Sequence, residues 1–153
     1  MIYTGYQGIG KSTLAKKIPN IIDLESSSFY VGEYKEGRPE NWYKIYATIA
    51  QHLSDQGKIV FISTHKPLRE YMNDNGIEFT VIYPAPELKE QWIEKLYERY
   101  EISNSFKDFR ALAGSYGDRF DENIKDLSNE KNKIIITDIN YSLEDLIMQT
   151  GNN

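Results

Sequence analysis

A glycine-rich run near the start of the chain constrains the fold more than any other feature. Residues 5–12 read Gly-Tyr-Gln-Gly-Ile-Gly-Lys-Ser and fill every fixed position of the pattern G-x-x-x-x-G-K-[ST]. A short β-rich run, residues 2–4, precedes the motif, and a stretch with helical spacing, residues 11–18, follows it. A strand, a tight loop and a helix in this order are the context that the motif requires, so the sequence predicts a phosphate-binding loop.

The fixed residues of this motif each have a physical role in binding a nucleoside triphosphate. Glycine permits a tight loop whose backbone N–H groups converge on phosphate oxygens beside a helix N-terminus. Lys11 is predicted to reach the β- and γ-phosphates and to act in catalysis, and the Ser12 hydroxyl is predicted to bind magnesium. ATP and Mg²⁺ are the expected cofactors, with predicted contacts at Gly5, Gly8, Ile9, Gly10, Lys11, Ser12 and Thr13.

Short apolar runs alternate with stretches of helical spacing along the rest of the chain. Such alternation is typical of an α/β fold with parallel strands joined by crossover helices that cover both faces of the sheet. The predicted strands are residues 2–4, 21–24, 59–63, 79–83 and 134–137. The predicted helices are residues 11–18, 39–56, 67–75, a helix from Glu87, and residues 143–148. No linker-like segment interrupts this order, so we expect a single domain over residues 1–153.

Composition excludes several classes of protein. The chain has 153 residues and no cysteine, which removes disulfides, thiolate zinc sites and cysteine nucleophiles. No apolar run approaches the roughly 18 residues that cross a bilayer, and the first residues carry no basic or apolar leader, so a cytoplasmic protein without a membrane segment is expected. The net charge of -5 argues against a partner that is duplex nucleic acid.

Two carboxylates follow the second predicted strand. Asp23 and Glu25 alternate along an extended segment and therefore point to the same side. Ligands of open α/β sheets bind at the carboxyl ends of the strands, so both acids are expected near the γ-phosphate. One would hold a magnesium-bound water or orient the attacking oxygen, and the other would bind the acceptor; Asp23 is the predicted catalytic and metal-contacting residue. The alternative is a helix-capping Asp with a solvated Glu.

The third predicted strand runs into Ser63, Thr64 and His65 and carries no acid at its end. An ordinary Walker B motif places an Asp there. Magnesium prefers charged oxygen ligands, which favours the acids after strand two over Ser63 or Thr64. His65 is able to titrate near neutral pH beside a phosphate, although a structural role for this loop histidine stays open.

Arginines form a second set of candidates. Phosphoryl transfer needs cations around the equatorial oxygens, and the planar guanidinium suits that need. Arg38 and Arg69 follow strands two and three and suit an anionic acceptor. Arg99, Arg110 and Arg119 belong to a polar segment, about residues 99–129, that we interpret as helix and mobile loop forming a lid. Pairing of each arginine with nearby surface acids is the alternative.

Aromatic residues divide into two groups by their spacing. Trp42, Tyr46, Trp92 and Tyr100 recur at helical spacing, which favours core packing. Tyr30, Tyr34 and Tyr43 lie nearer the expected acceptor site and are candidates for stacking on a nucleobase.

The order of these motifs resembles the small nucleoside monophosphate, shikimate and gluconate kinases over nearly the whole chain. The resemblance rests on residues 5–12, Asp23-Leu24-Glu25, residues 62–65, the predicted helix 87–99, and residues 136–140 with Leu143-Glu144. Only the loop is highly specific, and no Asp-Gly pair follows the third strand as it does in adenylate kinases.

This resemblance implies a three-layer α/β/α P-loop NTPase fold with a parallel sheet in the order 2-3-1-4-5 and a small helical lid. It further implies that Lys11 and Ser12 bind ATP and magnesium, that Asp23 and Glu25 face the acceptor and the metal, and that Arg99 is the lid arginine. Residues 138–141 would border the adenine.

We therefore expect an ATP-dependent phosphotransferase that moves the γ-phosphate to a small acceptor, with a nucleoside monophosphate favoured. A kinase of a small hydroxylated metabolite and a non-catalytic nucleotide-binding regulator are the alternatives. The chain contains no Asn-Lys-x-Asp run, which disfavours a GTPase. The expected partner is the small-molecule acceptor, and the expected assembly is a monomer or homodimer.

Overall fold

The computed structural model describes residues 1–24 and 39–151. Within them the strands are β1 (Ile2–Gly5), β2 (Ile21–Asp23), β3 (Ile59–Ile62), β4 (Thr80–Pro84) and β5 (Lys133–Ile136). The helices are α1 (Lys11–Lys17), α2 (Trp42–Asp55), α3 (Lys66–Asp74), α4 (Lys89–Ser103), α5 (Phe106–Ala113), α6 (Asp118–Leu127) and α7 (Leu143–Gly151). A 3₁₀ turn, Pro86–Leu88, leads into α4.

The five strands form one parallel sheet in the order β2-β3-β1-β4-β5, which confirms the fold class and the strand order implied by the resemblance. Ile2 lies opposite Val60 where β1 pairs with β3, and Asp23 lies opposite Phe61 where β2 pairs with β3. β1 is thus the central strand, and its carboxyl end at Gly5 leads directly into the glycine-rich loop.

Two compact units are distinguished within the chain: Met1–Gly5 with Lys11–Thr80, and Tyr6–Gly10 with Val81–Asn153. In the first unit, β3 supplies a fully buried core of Val60, Phe61 and Ile62. Helix α2 of that unit buries Tyr46 and Ala50, whereas its Ile45 is 50% exposed. The apolar stripe predicted for α2 is therefore only partly buried.

The core of the second unit is built on β4 and on helices α4 and α6. Ile82 of β4 and Trp92 of α4 are completely buried, which confirms the core packing predicted for that tryptophan. Tyr46 in the first unit is completely buried as well. Trp42 and Tyr100, which were assigned to the core by the same spacing, are half-buried.

The segment before β5 was expected to contain helix and mobile loop. Its helical part is confirmed as two helices, α5 and α6, which a turn of residues 114–117 separates; the mobility of its loops and its role as a lid stay predictions. Buried side chains of Phe120, Ile124 and Leu127 explain the second helix, because their spacing of four and three places them on one face toward the core.

Candidate functional site

The glycine-rich loop joins β1 to α1, and two of its glycines adopt backbone angles that side chains disfavour. Gly8 has φ of +89° and Gly10 has φ of +100°, both in the region that glycine enters without strain. A Cβ atom on Gly8 would lie 2.7 Å from Cδ2 of Leu96, which is buried. Glycine at position 8 therefore suits both the backbone conformation and the close packing of Leu96 against the loop.

Helix α4 packs directly against this loop. Trp92 donates a hydrogen bond from Nε1 to the carbonyl oxygen of Gln7 at 2.9 Å. Nη1 of Arg99 lies 3.7 Å from the position that a Cβ atom on Gly8 would occupy. The structure thus places the guanidinium of the predicted lid arginine beside the loop, while its catalytic role stays a prediction.

A second aromatic side chain holds the same loop from beyond β5. The hydroxyl of Tyr141 donates to the carbonyl oxygen of Ile9 at 2.7 Å. Its ring stacks on that of Trp92, with centroids 5.9 Å apart and planes inclined by 15°. Sequence reasoning assigned Trp92 to the core and Tyr141 to the adenine border, and it missed both contacts with the loop.

Lys95 is packed onto the two stacked rings. Its ammonium lies 4.6 Å from the centroid of Trp92 and 4.9 Å from that of Tyr141, and it donates to the Tyr141 hydroxyl at 3.3 Å. Burial, with a smaller contribution from the charge of Arg99, lowers the pKa of Lys95. Burial also raises the pKa of Tyr141, an effect that the charge of Arg99 opposes. Tyr141 therefore stays a protonated donor across the physiological range.

The first two side chains of the loop converge on a buried serine. The hydroxyl of Tyr6 and Oγ of Ser115 are 2.7 Å apart, and Nε2 of Gln7 donates to the same Oγ at 3.0 Å. Ser115 is completely buried in the turn between α5 and α6. Burial raises the pKa of Tyr6. No sequence signal identified Ser115, because its partners are more than 100 residues away along the chain.

Lys11 and Ser12 open α1, and both are half-buried, whereas Thr13 is exposed. The Ser12 hydroxyl and the Lys11 ammonium thus follow Gly10 directly, as the motif requires. Where the structure describes the chain, no three His, Asp or Glu residues cluster as a metal site. Mg²⁺ usually joins few protein oxygens to substrate phosphates, so a single hydroxyl in this position fits that ion.

The carboxyl ends of β2 and β3 are joined by one phenol. The hydroxyl of Tyr46 donates to the carbonyl oxygen of Leu24 and accepts from the amide of Ser63 at 3.0 Å. The amide of Leu24 donates in turn to the carbonyl oxygen of Phe61 at 2.9 Å. These bonds fix the backbone next to Asp23, which is half-buried at the end of β2.

Side chains after β3 are also fixed in place. Oγ of Ser63 lies 2.7 Å from Nδ1 of His65, and the His65 ring meets Trp42 edge to face at 5.1 Å. Arg69 is only 4% exposed, and its Nε donates to the carbonyl oxygen of Thr64 at 2.9 Å. His65 therefore has a defined partner, and Arg69 supports the backbone that follows β3.

The remaining residues predicted for the acceptor site and the lid are either outside the described residues or exposed on helices. Glu25 and Arg38 lie outside the described residues, as do Tyr30 and Tyr34. Arg110 is exposed on α5, with its guanidinium 5.8 Å from the ring centroid of Phe106.

Arg119, also exposed, donates from Nη1 to the carbonyl oxygen of Ala113 at 2.9 Å. The roles predicted for Arg110 and Arg119 in a lid stay predictions.

The sheet order, the glycine-rich loop and the lysine-serine pair that follows it define a P-loop nucleotide-binding protein. Residues 1–141 match the protein family described as "AAA domain", and the chain belongs to that family. No curated protein matches the sequence. The family confirms the nucleotide-binding class, but it does not single out the small kinases that the sequence resembles. In the described part of the chain, no helix is both long and apolar enough to cross a membrane.

Proposed function

We propose that this protein is an ATP-dependent phosphotransferase that moves the γ-phosphate of ATP to a small acceptor, with a nucleoside monophosphate favoured. The observation that carries the proposal is the end of β3, the neighbour of β1, where Ser63 and Thr64 stand in place of an acid. A P-loop ATPase holds its magnesium with an Asp at this position and needs a group that orients water. An acceptor that brings its own nucleophilic oxygen removes the need to activate water.

An acid at this edge of the sheet, Asp23, stands at the end of β2. β2 lies two strands from β1, about 10 Å away at ordinary strand spacing. A carboxylate at that distance is suited to the acceptor or to a water of the magnesium shell rather than to direct coordination. We accordingly propose Asp23 as a group that positions the acceptor. Arg69, which donates to the carbonyl oxygen of Thr64, is proposed as a cation near the acceptor.

Charge neutralisation by the loop and its neighbours would supply most of the catalysis. Lys11 would bind the β- and γ-phosphates, and Arg99 beside Gly8 would stabilise the negative charge of the transferring group. Bound Mg²⁺, held by the Ser12 hydroxyl, would neutralise phosphate charge. An acceptor oxygen forms a bond to the γ-phosphorus while the bond to the β–γ bridging oxygen breaks, which gives ADP and the phosphorylated acceptor.

A nucleoside monophosphate is favoured because its phosphate oxygen is already anionic and needs no general base. A hydroxylated metabolite would have to lose a proton, and Asp23 would then act as the base. Asp23→Asn distinguishes the two acceptors. A nucleoside monophosphate kinase would keep kcat within about tenfold, whereas a hydroxyl-directed kinase would lose about 10²–10⁴-fold, the usual contribution of a general base.

The decisive measurement is ADP release from Mg-ATP with a panel of acceptors. The panel contains ribo- and deoxynucleoside monophosphates, gluconate, shikimate and a 5′-hydroxyl oligonucleotide. We expect turnover that depends on one acceptor and is abolished by Lys11→Ala. Lys16→Ala, at an exposed lysine of the same helix, is the matched control and is expected to act like the wild type.

A non-catalytic nucleotide-binding regulator is the second candidate, and the missing acid after β3 favours it as well. It predicts ATP binding that depends on Lys11 with no ADP release for any acceptor. ADP release that is independent of every acceptor would contradict both candidates and would identify an ATP hydrolase.

A further inference from the structure

Two peptide groups of the loop have their carbonyl oxygens held by aromatic donors. Trp92 donates to the carbonyl of Gln7, and Tyr141 donates to the carbonyl of Ile9. A trans peptide is planar, so its C=O and the N–H of the following residue point in opposite directions. A carbonyl that is held toward Trp92 or Tyr141 therefore turns the next amide, that of Gly8 or Gly10, away from them.

We propose that Trp92 and Tyr141 are positioning residues that orient the Gly8 and Gly10 amides toward the phosphates of the bound nucleotide. The proposal rests on nucleotide binding at the loop and not on transfer to an acceptor. Neither side chain has to touch the nucleotide, because each acts through the peptide group that it holds.

The direction of both hydrogen bonds is fixed by the chemistry of the donors. The indole nitrogen of Trp92 only donates. The Tyr141 hydroxyl accepts from Lys95, whose ammonium has no acceptor capacity, so the hydroxyl proton is left for the carbonyl of Ile9. Burial raises the pKa of Tyr141 and keeps that proton in place. The stacked rings in turn restrain each other, since Trp92 and Tyr141 lie nearly parallel.

Tyr141→Phe is the sharpest test, because it removes the hydroxyl and retains the ring against Trp92 and Lys95. Titrations with Mg-ATP and with inorganic tripolyphosphate report on phosphate binding with and without a base. We expect both affinities to fall about five- to tenfold, which corresponds to the loss of one ordered hydrogen bond. Tyr97→Phe on α4 is the matched control; its hydroxyl bonds to Glu101 of the same helix, and we expect unchanged affinities.

Trp92→Phe provides a second variant, with the same loss expected for tripolyphosphate. Trp92 is completely buried, so the stability of this variant is measured by urea denaturation at the same time. A purely structural role would lower the denaturation midpoint and leave the tripolyphosphate affinity of the folded protein unchanged, and that result would overturn the proposal.

The outcomes also separate this proposal from the proposed function. Weaker tripolyphosphate binding in Tyr141→Phe supports positioning whether or not any acceptor is phosphorylated. Equal binding in wild type and Tyr141→Phe overturns positioning alone. Wild-type protein that binds neither ATP nor tripolyphosphate overturns both.

Discussion

At the scale of single residues, the two glycines with positive φ in the loop differ in what surrounds them. A Cβ atom on Gly8 would overlap Leu96, whereas one on Gly10 would meet no atom within 4 Å. Leu96 is 2% exposed and cannot move aside easily. The same substitution should therefore have unequal effects at the two positions.

We expect Gly10→Ala to lower the free energy of unfolding by about 1–2 kcal/mol, the usual cost of a left-handed conformation. Gly8→Ala should lower it by about 2–5 kcal/mol, because overpacking against Leu96 is added to that cost. Urea denaturation of the two variants measures the difference. Equal losses would mean that Leu96 yields without penalty.

Lys95 predicts a specific pH dependence of stability. Its folded pKa is lowered from 10.5 by burial, so between the folded pKa and 10.5 the unfolded state binds more protons. The free energy of unfolding consequently increases as pH rises through that window, because the folded protein no longer holds a charged Lys95. At pH values below the window, the free-energy cost of burying the ammonium is fully present. Lys95→Met should remove this gain.

The quantity to measure is the difference in unfolding free energy between the wild type and Lys95→Met from pH 7 to pH 10. We expect the wild type to become more stable relative to the variant as pH rises. Lys89→Met is the control of opposite kind, because its hydrogen bond to Asp121 raises the pKa of Lys89. The difference in unfolding free energy between the wild type and Lys89→Met should therefore not change with pH up to about pH 10. A flat profile for Lys95→Met would contradict the assignment.

The sequence predicted the loop at residue level but not the side chains that hold it. Loop residues are adjacent along the chain and fit one local pattern. Trp92 and Tyr141 reach the loop across 85 and 132 residues, so their contacts depend on the completed fold. A buried Trp N–H or Tyr O–H usually finds a partner, but the sequence does not say which one.

At the scale of elements, the ends of β2 and β3 depend on Tyr46 of α2. Its hydroxyl is the shared partner of the Leu24 carbonyl and the Ser63 amide. Tyr46→Phe removes the hydrogen-bond partner of both backbone groups. The Tyr46 side chain is completely buried. We expect a loss of about 1–3 kcal/mol, the cost of buried polar groups that lose a hydrogen bond.

Tyr43→Phe on the same helix is the matched variant, because Tyr43 is half-buried and its ring packs edge to face on Tyr71. Its effect should lie within about 0.5 kcal/mol. Denaturation curves of both variants at one pH provide the comparison. A Tyr46→Phe variant as stable as Tyr43→Phe would show that the phenol does not join the two strands.

Element types were predictable where periodicity was strong, as in the five strands and in α2 and α4. Helix α6 was obscured because Gly114 and Gly117 stand before it and charged residues surround its apolar positions. The buried face of Phe120, Ile124 and Leu127 shows that three correctly spaced apolar residues were enough. Gly114 and Gly117 both lie in the short turn that precedes the helix.

At the scale of the whole molecule, the sheet order followed from the resemblance and could not have come from strand patterns alone, since any order of five buried strands gives the same runs. The region proposed to bind the acceptor was less accessible to sequence reasoning. Asp23 and Arg69 are placed by β2 and by the segment after β3, while Glu25 and Arg38 lie outside the described residues.

The two tryptophans offer a test of whether residues 1–153 behave as a single folding domain. Trp42 belongs to one compact unit and Trp92 to the other. One sheet includes strands of both units, so we expect a single cooperative transition. Trp92→Phe leaves fluorescence from Trp42 alone, and Trp42→Phe leaves it from Trp92 alone.

In each variant the fluorescence change in urea should coincide with the loss of far-ultraviolet circular dichroism, because the five strands belong to one sheet. Absolute midpoints will differ between the variants, since Trp92 is more deeply buried than Trp42. Comparison within each variant avoids that difference. A fluorescence transition that precedes the circular dichroism transition in one variant would show that its unit unfolds independently, and the single-domain prediction would then be wrong.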